Sequence, residues 1–159
     1  MGELRDMLAA SGHPDARTYL QSGNVVVSSD TSPEELARDC ERQIAERFGL
    51  NIAVLGRTRE ELAEVVRSNP LADVALEPKR YQVSFCSVAP DPALVKRLAT
   101  LAVGRERFVA IGRELYAWHP DGVARSRLWA ELAGRKLGLD ATARNWATVT
   151  ALLEMASEP

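Results

Sequence analysis

An α+β fold of two small α/β subdomains is what this sequence predicts, on three observations. Well-capped helix starts, Ser32-Pro33-Glu34-Glu35 and Thr58-Arg59-Glu60-Glu61, alternate with short apolar runs of period two. Turn dipeptides, Ser22-Gly23 and Gly112-Arg113, separate pairs of those runs, as hairpin turns do. A chain of 159 residues suffices for one substantial core or two small ones, and Asn69-Pro70-Leu71 breaks it near the middle.

The elements follow in order. Leu4, Met7, Leu8 and Ser11 define a helix over 3–11, closed by Gly12 and Pro14. Strands at 16–21 and 24–28 flank the Ser22-Gly23 turn. Ser32 as N-cap, Pro33 at N1 and Glu35 at N3 open a helix that runs to Phe48 and ends at Gly49. Residues 51–55 read as a strand. The Thr58–Glu61 capping box starts a helix to about Arg67, which Pro70 must end. Residues 71–79 are a connection, so subdomains of 1–75 and 76–159 are expected. The second opens with a strand at 80–88 and a helix from Pro92 to Ala102. A hairpin of 108–111 and 114–118, a helix from Ser126 to Leu137 and a last helix over 145–156 complete it.

Composition excludes little beyond the extremes. Hydrophobic residues make up 46% and charged residues 26%, a globular balance rather than a disordered one. Net charge is −2, but residues 105–146 hold eight Arg and Lys against five Asp and Glu, a local excess of three. That gives a modest basic face on the C-terminal half and weak support for a nucleic-acid partner. No apolar run approaches the roughly 20 residues that span a bilayer. The first residues, Met1-Gly2-Glu3-Leu4-Arg5-Asp6, are too charged for a signal peptide, so a cytoplasmic location is expected. Arg outnumbers Lys seventeen to three, in keeping with a GC-rich bacterial genome. Cys40 falls on a helical stripe with Leu36, Ile44 and Phe48, and Cys86 in an alternating strand. Neither has a partner at ligand spacing, so both read as core thiols.

Several polar groups admit two readings each. In Gln21-Ser22-Gly23-Asn24, a hydroxyl, two carboxamides and backbone N–H groups suit a phosphate or carboxylate. The same residues also make a hairpin turn in which Gly23 takes positive φ. No His or acid lies nearby in sequence to activate Ser22. Arg144 and Asn145 precede a helix, where Arg144 beside the positive end of the dipole makes an anion site. Alternatively Asn145 is an N-cap and Trp146 fills the core. Ser126 and Arg127 divide the same way, between a phosphate contact and a capped helix with an exposed arginine. His119 reads as a solvated loop residue or a general base. Two isolated histidines, His13 and His119, do not make a metal site, and no cofactor motif is present.

Thr18 to Val27, Asn69-Pro70-Leu71, His119-Pro120-Asp121-Gly122 leading to Ser126-Arg127-Leu128, and Thr142 to Val149 occur in one order and spacing. On these residues the chain resembles, over essentially its whole length, the bacterial family catalogued as domain of unknown function 1697. The resemblance implies two subdomains, the first ferredoxin-like and the second a mixed sheet with C-terminal helices, and it implies no reaction. Family members usually open with an apolar strand and an Arg-Gly-Ile-Asn-Val-Gly-like loop, whereas Met1 here stands at the start of the first helix. The first subdomain is therefore expected to lack that strand, through a misplaced start codon, a shortened chain or a true variant. In the variant, a strand from another copy refills the gap in a homodimer. Arg127 also replaces the family's more frequent Lys.

Two functional expectations follow. One is a binding module for a small anionic ligand, using Gln21, Ser22, Asn24, Ser126, Arg127, Arg144 and Asn145. The other is a nucleic-acid or protein interaction domain using the basic C-terminal face. No catalytic constellation marks an enzyme.

Overall fold

The computed structural model describes residues 2–20, 23–134 and 137–159, and the chain falls into two compact units. Residues 1–62 with 151–159 form the first, and residues 63–150 the second.

In the first unit, α1 (Gly2–Ala10) and α2 (Pro33–Phe48) enclose a hairpin of β1 (Arg17–Tyr19) and β2 (Asn24–Val26) in the sequence. Met7, Leu8 and Ile44 make a small core, joined by Leu4, Val25, Cys40 and Phe48. Leu4, Met7 and Leu8 of α1 and Cys40, Ile44 and Phe48 of α2 recur at helical spacing, which puts each set on one stripe of its helix, and Val25 joins them from β2. The ends of α2 follow its sequence signals. Ser32 Oγ accepts from Glu35 N–H at 3.2 Å, Pro33 takes N1, and Gly49 closes the helix at φ 68°. The hairpin pairs Arg17 with Val26 and Tyr19 with Asn24. Its strands are shorter than expected, three residues each.

Residues 51–55 are not the strand their pattern predicts. Val54 N–H donates to the Glu41 carboxylate at 2.9 Å, so a side chain from α2 takes the place of a ladder carbonyl. Val54 still packs against the core, while Ile52, its alternation partner, is exposed.

The boundary residues Thr58 and Glu61 make the reciprocal capping box their spacing calls for. Glu61 N–H donates to Thr58 Oγ1 and Thr58 N–H to Glu61 Oε1, both at 3.0 Å, at the head of α3 (Arg59–Ser68).

The second unit is built on one four-stranded sheet. Its elements run β3 (Tyr81–Cys86), α4 (Pro92–Leu101), β4 (Arg107–Ile111), β5 (Glu114–Trp118), α5 (Arg127–Ala133) and β6 (Ala141–Asn145), followed by α6 (Trp146–Ala156). The strand order is β4-β5-β3-β6. That βαββαβ order is the ferredoxin-like one. It is complete here, in the unit for which a mixed sheet was expected. All three pairings are antiparallel, because the β4–β5 hairpin and the two helical crossovers each return the chain beside an oppositely directed strand.

Strand β6 was not anticipated, since Ala141 to Asn145 carries small and polar residues without an apolar alternation. It earns its place by pairing along β3, from Cys86 opposite Ala141 to Gln82 opposite Asn145. Helix α5 ends at Ala133 rather than Leu137, with Gly134 N–H bonding back to Glu131 C=O. One sheet face, bearing Cys86, Leu115 and Ala117, packs with Leu98 of α4 and Leu128 and Leu132 of α5. Leu98, Leu115 and Leu128 are each fully buried, contributing roughly 2 kcal/mol apiece. Cys40 and Cys86 are both free thiols, half-buried and buried respectively.

Candidate functional site

Alternation along the strands sends Tyr81, Val83, Tyr116, Trp118 and Arg144 to the sheet face opposite α4 and α5. Val83 lies between Tyr116 and Arg144 in one cross-strand row. The aromatics are buried, and their hydroxyls are satisfied: Tyr81 Oη donates to Asn69 Oδ1 at 2.8 Å and Tyr116 Oη to Val65 C=O at 3.1 Å. Burial, helped by Glu114 and Glu64, pushes the Tyr116 phenol up to about 12. Burial and Tyr116 raise Tyr81 further still. Trp146 stacks on Tyr81, with centroids 4.8 Å apart.

Arg144 shares this face with Glu114 and Arg107, which alternation sends to the same side. It is half-buried, and its guanidinium donates to Thr142 Oγ1 at 2.5 Å and to Ala143 C=O at 2.9 Å. Burial lowers its pKa, because removing water disfavours the cation. Asn145, next along, is the N-cap of α6: its Oδ1 accepts from Thr148 N–H at 3.0 Å. The strand therefore hands a desolvated cation directly to a helix start whose dipole has the same sign.

The other expected contacts fare differently. Gln21 and Ser22 lie outside the described residues. Asn24 is buried in the first unit, where its Nδ2 donates to Tyr19 C=O at 3.0 Å and holds the hairpin closed. Ser126 is an N-cap, accepting from Trp129 N–H at 3.0 Å. Arg127 is exposed at the first position of α5. Tyr81 pairs with Trp118 and Gln82 with Asn145, so β5 and β6 end at the same edge of the sheet. The loop to Ser126 and the start of α6 both leave from there.

Sequence reasoning missed a cluster at that same end. His119 is completely buried rather than solvated, and its Nδ1 lies 2.6 Å from Glu106 Oε2. Ser126 Oγ donates to the same carboxylate oxygen at 2.6 Å and lies 3.3 Å from His119 Nδ1. Trp129 meets the imidazole edge-on. A nucleophile–base–acid relay needs the hydroxyl on one ring nitrogen and the acid on the other. Here both lie on the Nδ1 side, with Glu106 as hub, so the arrangement is a clamp on the 119–126 loop. His119 N–H also donates to Arg80 C=O at 2.9 Å, and the Arg80 side chain bonds Pro120 C=O. His119 could have been foreseen as buried, since it continues the apolar run Leu115 to Trp118. Glu106 could not, standing between two arginines in a polar turn. Among the described residues no group of three or more His, Cys, Asp or Glu is placed to hold a metal ion.

Fold and site together define an α+β protein whose second unit is a complete ferredoxin-like sheet with the half-buried Arg144 on its last strand. A family profile, that of the protein of unknown function DUF1697, matches residues 1–116, and the chain belongs to that family. Its fold is similar to the solved structure of the conserved bacterial protein SP0830 from Streptococcus pneumoniae, with a TM-score of 0.75 at 17% identity, covering 99% of this chain and 89% of that one. Among curated proteins none matches. No helix among the described residues is long and apolar enough to cross a membrane.

Proposed function

We propose that this chain is a binding module for a small anionic ligand, with Arg144 as its charged contact. The observation that carries the reading is the half-buried Arg144 guanidinium one residue ahead of Asn145 and the α6 start. Two sources of positive potential, a desolvated cation and a helix N-terminus, fall within consecutive residues. An anion placed there gains from both at once. Ser126 and Asn145 serve the reading as caps that fix local geometry, and Arg127 as an exposed cation at the same end of the sheet. Gln21, Ser22 and Asn24 remain candidate contacts of the hairpin in the first unit.

The nucleic-acid reading has less support, because acids interleave with the arginines of the second unit. Arg105 pairs with Asp121, Arg97 with Glu131 and Arg80 with Glu77. We further infer a cytoplasmic location, since two free thiols suit a reducing compartment.

Thermal melts test the proposal. A panel of phosphates, nucleotides and small carboxylates is expected to include ligands that raise the melting temperature by several degrees at saturating concentration, as preferential binding to the folded state requires. Arg144→Ala should keep the fold and lose that shift. A panel without effect, or an equal shift in the variant, overturns the reading.

A further inference from the structure

Strand β6 lies at an edge of the second unit's sheet, paired with β3 alone. Alternation puts Thr142 and Arg144 on one face of it and turns Ala143 to the other. The Arg144 side chain folds back along its own strand: Nη1 donates to Thr142 Oγ1 at 2.5 Å and to Ala143 C=O at 2.9 Å. An Nη carries two hydrogens, so these two bonds occupy Nη1 and tie one edge of the planar guanidinium to the strand. Neither acceptor is a carboxylate. The two bonds therefore orient the cation without neutralising it.

Of the two acceptors, the Ala143 carbonyl belongs to the backbone, and Thr142 is the one that the sequence can choose. Its side chain is half-buried, and in its cross-strand row Phe85 separates it from Glu114. A β-branched residue on a strand has few χ1 states, so Oγ1 is held where Nη1 meets it. A hydroxyl has one hydrogen to donate besides the lone pairs with which it accepts. Thr142 Oγ1 uses a lone pair on Arg144, and its O–H has no acceptor among the described residues. A hydroxyl donor thus stands within hydrogen-bond distance of a half-buried cation.

We propose that Thr142 presents Arg144 to its anionic ligand: the hydroxyl oxygen fixes the guanidinium before the ligand arrives, and the O–H donates to the same anion. The inference rests on the anion reading of Arg144 and supplies the second side chain of that contact. A guanidinium already held in place loses less rotamer freedom on binding, so more of the contact's gain is kept in the affinity. A hydrogen bond donated to a charged acceptor adds to that gain, being stronger than one between neutral groups. The ligand is an oxyanion, with one oxygen facing the guanidinium and another the hydroxyl. Serine in place of Thr142 keeps both functions, and valine keeps neither.

Arginine-detected NMR on the intact protein tests the two roles apart. In the free protein, Thr142→Val keeps the β-branched shape and removes the acceptor. Rotation of the Arg144 guanidinium about Nε–Cζ is therefore expected to speed up several-fold, with the melting temperature close to that of the parent. Thr142→Ser should rotate at nearly the parent rate. Each protein is then titrated with inorganic phosphate and with a nucleoside monophosphate. Thr142→Val is expected to bind about tenfold more weakly, the loss that follows from removing a hydrogen bond to a charged group. Thr142→Ser should bind about as well as the parent. Parent-like rotation or parent-like affinity in Thr142→Val overturns the inference and leaves Arg144 as a contact, as does a Thr142→Ser protein that binds as weakly as Thr142→Val. An Arg144 signal that responds to neither ligand in the parent overturns both this inference and the reading beneath it.

Discussion

Glu106 is the residue on which the local structure of the second unit turns. Its Oε2 receives both the His119 ring and the Ser126 hydroxyl, and Ser126 in turn caps α5. Removing the imidazole leaves a cavity and strips a donor from a carboxylate whose side chain is 11% exposed. His119→Ala is therefore expected to cost about 2–4 kcal/mol in urea unfolding. Ser126→Ala should cost about 1 kcal/mol, the usual value of a cap. Because both act through Glu106, the double variant should depart from additivity by more than about 0.5 kcal/mol. Strict additivity would show that the carboxylate does not link them. None of this was legible around Glu106, since a glutamate in a charged turn carries no sign that the fold will enclose it. Contact between residues 13 and 20 positions apart is a tertiary fact.

At the scale of elements, the local signals worked wherever the chemistry was local. Ser32 and the Thr58–Glu61 box specify helix starts through bonds spanning three residues, and each forms as its spacing requires. They failed where pairing decides. Residues 51–55 have the right alternation but Glu41 takes the Val54 N–H, and β6 lacks an apolar pattern yet completes the sheet against β3. Edge strands are specified by the neighbour that accepts them as much as by their own residues. Asn145 sits where these two logics meet, the last residue of β6 and the cap of α6. Asn145→Ala should lower stability by about 1 kcal/mol, whereas Asn145→Asp should preserve it, because an aspartate oxygen caps equally well. Circular dichroism melts read the difference, and an intact Asn145→Ala protein would remove the cap from the account.

For the whole molecule, the α+β class and most helices were legible in the sequence, while the topology of the second unit was not. The resemblance directed attention to the first subdomain, but the complete βαββαβ order lies in the second. Its central strand, β3, has five of six residues buried, because strands flank it on both sides and helices cover one face. That arrangement also explains the candidate site. Arg144 reaches a half-buried position only because β6 pairs with β3, so a reading that began the helix at 145 without a preceding strand could not have given its burial. Family membership and the fold of a bacterial relative leave the chemistry open, and the site has to carry it.

The most direct measurement is an arginine Nε–Hε NMR titration of the intact protein with inorganic phosphate and a nucleoside monophosphate. The account predicts that the Arg144 signal, assigned by its absence in Arg144→Lys, shifts saturably with at least one of them before the exposed Arg125 and Arg127 signals move. An unmoved Arg144 signal while the exposed arginines respond would contradict it.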